Sequence, residues 1–293
     1  PDLAFYLQPL GRPGQIAAVQ ANIRNPASVE AALIGADAIV NLVGILAQSG
    51  AQKFSAVQSQ GARAIAQAAK QVKISNVVHI SALGANAHSS SSYARSKTEG
   101  EQAILENCPS AVILRPSVIF GVEDEFFNRF GAMARFFPVI PIVGGDTKFQ
   151  PIYVGDVAEA VARALSGKAK PGVTYELGGP EIKSFKSLIE YVLQITERKR
   201  KILNLGFLTG KFVAFLMQAL TTLSLGLFPK ILRMTPDQVE LLKVDNIVSD
   251  SAKSEGRTLL ELNIQPQSFE TIAPTYLYRY RKTGQYQAQR LGA

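Results

Sequence analysis

The sequence predicts a doubly wound α/β fold built on a parallel sheet, and three observations support this. Two short apolar runs, residues 77–80 and 111–114, lie on either side of an amphipathic segment that extends from Tyr93 to Cys108. This order of strand, helix and strand is typical of a right-handed parallel crossover. A third apolar run, residues 37–41, adds another buried strand. With 293 residues, 47% hydrophobic and 18% charged, the chain can bury a large core.

The central segment carries a chemical motif at the start of its helix. Tyr93 and Lys97 are one helical turn apart, so their side chains lie on the same face. We expect the ammonium to lower the pKa of the phenol, which suits proton transfer at a carbonyl or an alcohol. Ser81 ends the preceding strand, and Arg115-Pro116 ends the following one.

These residues resemble the short-chain dehydrogenase/reductase superfamily, and in particular its extended and atypical members. The resemblance implies a Rossmann-like domain that binds NADPH or NAD. It also implies that Tyr93 donates a proton, that Lys97 holds the nicotinamide ribose, and that Ser81 polarises a carbonyl. Extended members place the working hydroxyl slightly later, where this sequence has Ala82 and Leu83.

Composition excludes several classes of protein. The single cysteine, Cys108, cannot form an internal disulfide and is typical of a reducing compartment. Two histidines and one cysteine do not predict a metal site. The net charge of +8 suits an anionic membrane or an acidic partner. Basic residues cluster at 198–201 and 279–282 without a nucleic-acid motif, so no nucleic acid is expected as a partner.

The start of the sequence departs from the family pattern. A fold of this kind opens with a strand and a glycine-rich turn for the pyrophosphate, and no Gly-x-x-Gly-x-x-Gly occurs here. The first strand, the glycine loop, the first helix and the second strand are therefore expected to be absent from this sequence. The alternative is a degenerate paralogue that never had them. Gly11 and Gly14 indicate a turn, and the signature of a signal peptide is not seen.

The next elements are expected to approach the cofactor. Residues 16–20 predict a strand, 28–33 a short helix and 53–73 a long helix. The resemblance places Asn22 and Ile23 near the adenine, and it places Leu42, Val43 and Gly44 beneath the cofactor. It places Gln58 at the cofactor pocket and the backbone of Pro116, Ser117 and Val118 at the carboxamide. Asn22 can equally be a turn residue, and Gln58 can equally be a surface glutamine.

The second half predicts a smaller lobe. We expect a dinucleotide-binding domain at 1–180, with lobe segments interleaved around 122–150, and a C-terminal lobe at 181–293. A phenylalanine-rich helix at 123–137 is expected to pack in the lobe. Asp156 and Ser184 are expected to cap helices. An apolar helix at 208–228 is too short and too polar to span a bilayer, so it is predicted to face a membrane interface or a partner. A buried lobe helix is the alternative.

The apolar helix, the Asp-Asn-Ile-Val-Ser run at 245–249 and the basic, tyrosine-rich tail sharpen the resemblance. They are similar to the nucleotide-binding accessory subunits of respiratory complex I and to their alphaproteobacterial counterparts. That resemblance implies tightly bound NADPH, other complex I subunits as partners, and no turnover. It also implies contact with an anionic membrane surface or the quinone-site region through residues 208–233 and the C-terminal tail. The alternative for the tail is a frayed C-terminus. The chain is then peripheral, on the cytoplasmic face of a bacterial inner membrane or the matrix face of the mitochondrial one.

A second hypothesis stays open. The Tyr93 and Lys97 pair equally suits a soluble NAD(P)-dependent reductase, epimerase or dehydratase that acts on a carbonyl or nucleotide-sugar substrate.

Overall fold

The computed structural model describes residues 2–224, 228–282 and Gly284. Its strands, in chain order, are β1 (Ala38–Asn41), β2 (Asn76–Ile80), β3 (Val112–Pro116), β4 (Ile119–Phe120), β5 (Val139–Val143), β6 (Lys148–Phe149), β7 (Ile152–Tyr153), β8 (Thr174–Leu177), β9 (Lys183–Ser184) and β10 (Lys201–Leu205). Its α-helices are α1 (Pro26–Ala32), α2 (Gln60–Gln71), α3 (Ser92–Asn107), α4 (Phe127–Phe136), α5 (Val154–Leu165), α6 (Phe185–Ile195), α7 (Phe207–Leu223), α8 (Pro236–Leu241), α9 (Asp250–Ser254), α10 (Phe269–Ile272) and α11 (Pro274–Leu277).

The main sheet is parallel and has helices on both faces. Its strands pair in the order β1, β2, β3, β8. Successive side chains of a strand point to opposite faces, so Val77 packs with the helices α1, α2 and α3 while Val78 packs with α5. The predicted doubly wound α/β fold is therefore confirmed. The carboxyl ends of β2 and β3 lie side by side, which brings the residues that follow them together.

Aromatic side chains fill a separate core. Phe127, Phe130 and Met133 of α4 pack against β5, the helix α6, and the short helices α10 and α11. The phenylalanine stripe is thus a packing feature, as predicted, although Phe136 is 68% exposed. Strands β5 and β10 form a parallel pair beside this core. How the chain divides into domains stays a prediction.

Two early predictions were wrong in detail. Residues 16–20 form no strand, because no described strand lies beside them to pair with their backbone groups. The helix predicted at 53–73 begins with a π-helical turn, Ser55–Ser59, and continues as α2. A π turn widens the helix by one residue and is frequent at functional sites.

Asp156 does not cap its own helix. It lies in the first turn of α5, and its carboxylate accepts a hydrogen bond of 2.8 Å from the Gln267 N–H. It therefore fixes the segment before α10 onto α5. Ser184 does cap α6, since its hydroxyl accepts from the Ser187 N–H at 3.1 Å.

The predicted apolar helix is observed as α7, which ends at Leu223; residues 225–227 lie outside the described residues. One face packs inward at Gly210 and Ala214, and a Cβ at Gly210 would lie 2.4 Å from Val143. The other face is exposed, so the buried-helix alternative is wrong for it. Within the described part of the chain, no helix combines the length and apolar character needed to cross a bilayer.

The tail is packed rather than frayed as far as Arg281. Tyr276 is 4% exposed and donates to Asp124 at 2.6 Å. Arg279 and Arg281 donate to the carbonyl oxygens of Val122 and Ile195. Part of the basic charge therefore ties the tail to its own chain. Residues 285–293 lie outside the described residues.

Shortening a side chain at the centre of the main sheet is expected to lower the stability of the protein more than shortening an exposed one. Ile113 of β3 is fully buried, whereas Ile34 is 80% exposed. We expect Ile113→Ala to lower the free energy of unfolding by about 2–5 kcal/mol, because it removes buried methyl groups and leaves a cavity. The matched variant Ile34→Ala is expected to stay within about 0.5 kcal/mol of the parent in urea unfolding. Equal losses in the two variants would contradict the sheet described here.

Candidate functional site

Helix α3 presents Tyr93 and Lys97 at the carboxyl ends of β2 and β3. Ser91, fully buried, caps the helix by accepting a hydrogen bond from the Ala94 N–H. This cap sets where the first turn begins and so fixes the direction of Tyr93 and Lys97.

The Lys97 ammonium is buried beside the end of β2. Lys97 is 6% exposed, and its Nζ donates to the carbonyl oxygen of Ile80 at 3.2 Å. Burial lowers its pKa from 10.5 to about 8, and the Glu101 carboxylate opposes that shift. A Cβ at Gly44 would lie 3.3 Å from this Nζ, so the missing side chain leaves space directly beside the ammonium.

The Tyr93 ring lies close to the Lys97 ammonium and to Phe54. The ring meets Phe54 edge-on, with 5.7 Å between centroids, and Lys97 Nζ is 5.9 Å from the centroid of the Tyr93 ring. Burial raises the pKa of Tyr93 from 10.0 to about 12. The expected lowering by the ammonium is thus wrong here, because loss of hydration outweighs a charge at this distance. Within the described residues, its hydroxyl makes no hydrogen bond.

Ser81 is not placed as an open catalytic hydroxyl. It is 3% exposed, and its Oγ has no hydrogen-bond partner among the described residues. Its backbone N–H donates to the Leu114 carbonyl at 2.7 Å, which continues the pairing of β2 with β3. Ser81 therefore lies within the wall of the site, with an unsatisfied hydroxyl.

A buried histidine lies beneath the lysine. The side-chain amide of Asn41 donates to His79 Nδ1 at 2.9 Å, while Asn41 Oδ1 accepts from the Val43 N–H at 3.1 Å. His79 Nδ1 is therefore the acceptor, and the proton of the neutral ring is on Nε2, which has no partner in the described chain. Burial, and then the charge of Lys97, lower the His79 pKa from 6.5 to about 3.

Gln58 is a buried residue and not a surface glutamine. It is 3% exposed; its Nε2 donates to the Ile45 carbonyl at 2.7 Å, and its Oε1 accepts from Ser96 Oγ at 2.5 Å. A Cβ at Gly100 would lie 2.5 Å from the Gln58 carbonyl oxygen, so α3 and the π turn approach closely. Gln58 thus connects the loop after β1 to α3, and its contact with a cofactor stays a prediction.

A partly buried ion pair fixes α3 to the sheet. Arg115 donates two hydrogen bonds to Glu101, at 2.8 Å and 2.6 Å, and its Nη1 lies 3.9 Å from Glu176. Glu101 is 4% exposed and follows Lys97 by one turn of α3. Such bidentate geometry holds the helix at a defined distance from β3.

The backbone groups of Pro116, Ser117 and Val118, which were expected to bind the carboxamide, form hydrogen bonds within the protein instead. Asn246 Oδ1 accepts from the Ser117 hydroxyl at 2.6 Å and from the Val118 N–H at 3.2 Å. The Ser117 N–H donates to Leu177, and the Pro116 carbonyl accepts from Leu83. The side-chain amide of Asn246 therefore lies where a bound carboxamide was expected to find these donors.

The residues expected near the adenine and beneath the cofactor differ in their exposure and in their contacts. Asn22 is exposed, and its Oδ1 accepts from the Arg24 N–H at 3.1 Å, as a turn residue does. Ile23 packs on α2, where a Cβ at Gly61 would lie 2.7 Å from its side chain. Leu42 and Val43 are 68% and 44% exposed, and they flank the floor of the site beside Gly44.

The residues at this end of the sheet fit the nicotinamide and ribose end of a dinucleotide. The gap beside Gly44, the uncommitted Tyr93 hydroxyl and the Lys97 ammonium are what a ribose diol needs for close approach and hydrogen bonding. A bound nicotinamide would supply redox chemistry. Among the described residues, no group of acidic, histidine and cysteine side chains is arranged to hold a metal ion.

Comparison with known proteins agrees with this geometry. A family model described as NAD(P)H-binding matches residues 7–122, and one described as the RmlD substrate binding domain matches residues 84–202. The mouse protein named NADH dehydrogenase (ubiquinone) 1 alpha subcomplex subunit 9, mitochondrial, is 31% identical over 279 residues, which are 94% of this chain and 71% of the relative. The chain belongs to this subunit 9 family.

Other matches give the same result. The subunit 9 protein of Arabidopsis thaliana is 29% identical over 286 residues, which are 97% of this chain and 70% of the relative. An NADPH-dependent quinone oxidoreductase from Escherichia coli, solved with NADPH, superimposes with a TM-score of 0.65. It is 20% identical and covers 89% of this chain and 84% of its own, so it shows the fold alone. The Rossmann-like fold and the resemblance to short-chain dehydrogenases are confirmed.

The sequence prediction for this subunit 9 chain missed several supporting residues. His79 stands inside an apolar run, and a histidine within a buried strand is itself a signal for a partner. Asn41, Glu101 and Asn246 gave no local signal, because their partners are distant in sequence.

The buried histidine generates a pH prediction. The unfolded chain binds this proton near pH 6.5, whereas the folded chain binds it only near pH 3. Unfolding therefore takes up a proton between these values, and His79 reduces stability as the pH falls through them. We expect a change from pH 7 to pH 4 to remove about 3 kcal/mol through His79.

Urea unfolding of His79→Gln checks this expectation. The variant is expected to lose less stability between pH 7 and pH 4 than the parent, while His88→Gln, which alters the exposed second histidine, should behave like the parent. An undiminished loss in His79→Gln would show that the buried ring does not titrate as stated.

Proposed function

We propose that this chain is a dinucleotide-binding accessory subunit of a respiratory NADH:quinone oxidoreductase, and that it holds NADPH without turning it over. Its subunit 9 relatives carry the name of that enzyme. NAD is the alternative nucleotide. The observation that carries the proposal is the buried Lys97 ammonium with Gly44 on one side and Tyr93 on the other.

Two features support the proposal that the nucleotide is bound without being turned over. A tyrosine that donates a proton to a carbonyl works best with a pKa near the operating pH, and burial raises that of Tyr93 to about 12. The hydroxyl that would polarise the carbonyl is also missing from the open site, because Ser81 is 3% exposed. Loss of one such donor lowers a rate by ~10²-fold or more. Tyr93 and Lys97 then act as a clamp.

The partner surface that we propose is the outer face of α7. Its apolar side chains are 46–87% exposed and recur at helical spacing: Leu208, Phe212, Phe215, Leu216, Leu220 and Leu223. An exposed apolar stripe of this length marks an interaction site. We propose that residues 208–233 and the tail dock at the junction of the peripheral and membrane arms, close to the anionic lipid surface and the quinone region.

This arrangement makes the chain a peripheral protein. In a bacterium it would lie on the cytoplasmic face of the inner membrane, and in a mitochondrion on the matrix face of the inner membrane.

Copurification tests whether the chain is a subunit of the respiratory enzyme. Native NADH:quinone oxidoreductase is expected to contain this chain, and a free protein that oxidises NADPH with a panel of carbonyl compounds would instead support the reductase alternative.

The lysine provides the sharpest test of binding. We expect Lys97→Met to weaken NADPH binding roughly ten- to a hundredfold in calorimetric titration of the intact protein stripped of nucleotide. A hydrogen bond from a charged group contributes about 1.5–3 kcal/mol, which gives that range. The control is Lys186→Met, because the Lys186 side chain is 52% exposed on α6. Equal affinity of Lys97→Met and the parent would refute the clamp.

The apolar face provides a test of assembly. We expect the double variant Leu208→Glu, Phe212→Glu to be lost from the purified respiratory enzyme while keeping its melting temperature. The two side chains are 87% and 64% exposed in the isolated chain, so charging them leaves the core intact. The control is Ile34→Glu, which introduces a carboxylate at an equally exposed position far from α7 in the sequence, and this variant should assemble normally. Normal assembly of the double variant would exclude this face as the docking surface.

A further inference from the structure

Helix α8 contacts both the dinucleotide site and the partner-facing helix. It is six residues long, and a capping box between Thr235 and Gln238 fixes its start. Its side chains reach in three directions, to the N-terminus of α3, to the loop after β1, and to α7. These three contacts form a continuous packed connection between the dinucleotide site and α7.

The first contact is a carboxylate against the start of α3. Asp237 accepts hydrogen bonds from Ser91 Oγ at 2.8 Å, from the Ser92 N–H at 2.7 Å and from the Tyr93 N–H at 3.2 Å. The N–H groups of a first helical turn have no partner within the helix, and they carry partial positive charge. Asp237 therefore holds the turn that carries Tyr93, from a position about 140 residues later in the chain.

The second contact is with α7. Val239 is fully buried and packs with Ala214 of α7 and with Val143. The next residue, Glu240, accepts a hydrogen bond of 2.9 Å from Lys211 of α7. Lys243 and Lys211 lower the pKa of Glu240 to about 2, so this carboxylate is ionised at neutral pH. Helix α8 is thus fixed to α7 by both packing and charge.

The third contact reaches the floor of the site. Gln238 Nε2 donates to the Leu46 carbonyl at 3.4 Å, two residues after Gly44. The loop that lies beside Lys97 and the turn that carries Tyr93 therefore both contact α8.

We propose that α8 couples the dinucleotide site to the apolar face of α7, with Asp237 as the positioning residue that carries the coupling. The proposal rests on the proposed function, since it takes NADPH as the ligand between Gly44 and Tyr93. A ligand that orders the start of α3 and the Gly44 loop favours one placement of α8, and α8 then favours one placement of α7. By linkage, a partner on α7 strengthens NADPH binding by the factor with which NADPH strengthens partner binding.

Hydrogen exchange of the intact protein, followed by mass spectrometry with and without saturating NADPH, tests the coupling. In the parent we expect NADPH to slow exchange of the α7 amides by roughly fivefold, at the low end of known coupling factors. In Asp237→Asn, which removes the charge and keeps the shape, NADPH is expected to protect β2 and the Gly44 loop but to change α7 exchange by less than about twofold.

Two further variants complete the design. Lys211→Met removes the ion pair with Glu240 from the α7 side, away from Tyr93, and leaves Val239 packed on Ala214. It should therefore lower the effect of NADPH on α7 exchange below that in the parent, and it decides the matter if Asp237→Asn does not fold. Asp250→Asn makes the same chemical change at the exposed start of α9 and should behave like the parent.

Three outcomes would overturn the coupling. The first is NADPH binding by the parent with no change in α7 exchange. The second is α7 protection that persists undiminished in Asp237→Asn and Lys211→Met. Both leave the proposed function standing. A parent that binds no NADPH overturns the coupling, and one that binds neither NADPH nor NAD overturns the proposed function as well.

Discussion

The site depends on keeping one ammonium out of water at the end of a parallel strand. Lys97 is 6% exposed, with the Ile80 carbonyl as its hydrogen-bond partner. Burial lowers the pKa of Lys97 to about 8, which makes the charged form less favourable than in water but still leaves most of the amine protonated at neutral pH. The surrounding contacts compensate for this. The Arg115–Glu101 pair holds α3 in place, and the glycine at 44 leaves room for a ligand oxygen to approach the amine.

The same burial separates binding from catalysis. Tyr93 is half-buried, and the loss of hydration raises the pKa of its phenol to about 12, so the hydroxyl keeps its proton at neutral pH. Ser81 is enclosed in the wall, and Asn246 takes the donors of Ser117 and Val118. Each of these features removes something that turnover needs, while the Lys97 ammonium and the space beside Gly44 remain, where we propose that the ribose binds. The site has the residue types of a reductase, and its environment supports the proposal of a nucleotide that is bound and not turned over.

Much of the fold was predictable, because local patterns set it. The apolar runs gave β1, β2 and β3, and the spacing of Tyr93 and Lys97 placed them on one face of α3. Residues 16–20 looked like a strand by composition, but a strand requires a neighbour, and local sequence carries no information about one. The Tyr93 pKa, the burial of Gln58 and the clamp of Asp237 on α3 all depend on contacts between distant segments, which no spacing rule reveals.

We propose that Tyr93 and Lys97 hold the nicotinamide end of a dinucleotide. A structure of the intact protein, purified with its own nucleotide and without added cofactor, tests it most directly. We expect NADPH whose nicotinamide ribose hydroxyls lie within hydrogen-bond distance of Lys97 Nζ and the Tyr93 hydroxyl. A nucleotide bound elsewhere, with Lys97 still bonded only to the Ile80 carbonyl, would contradict it.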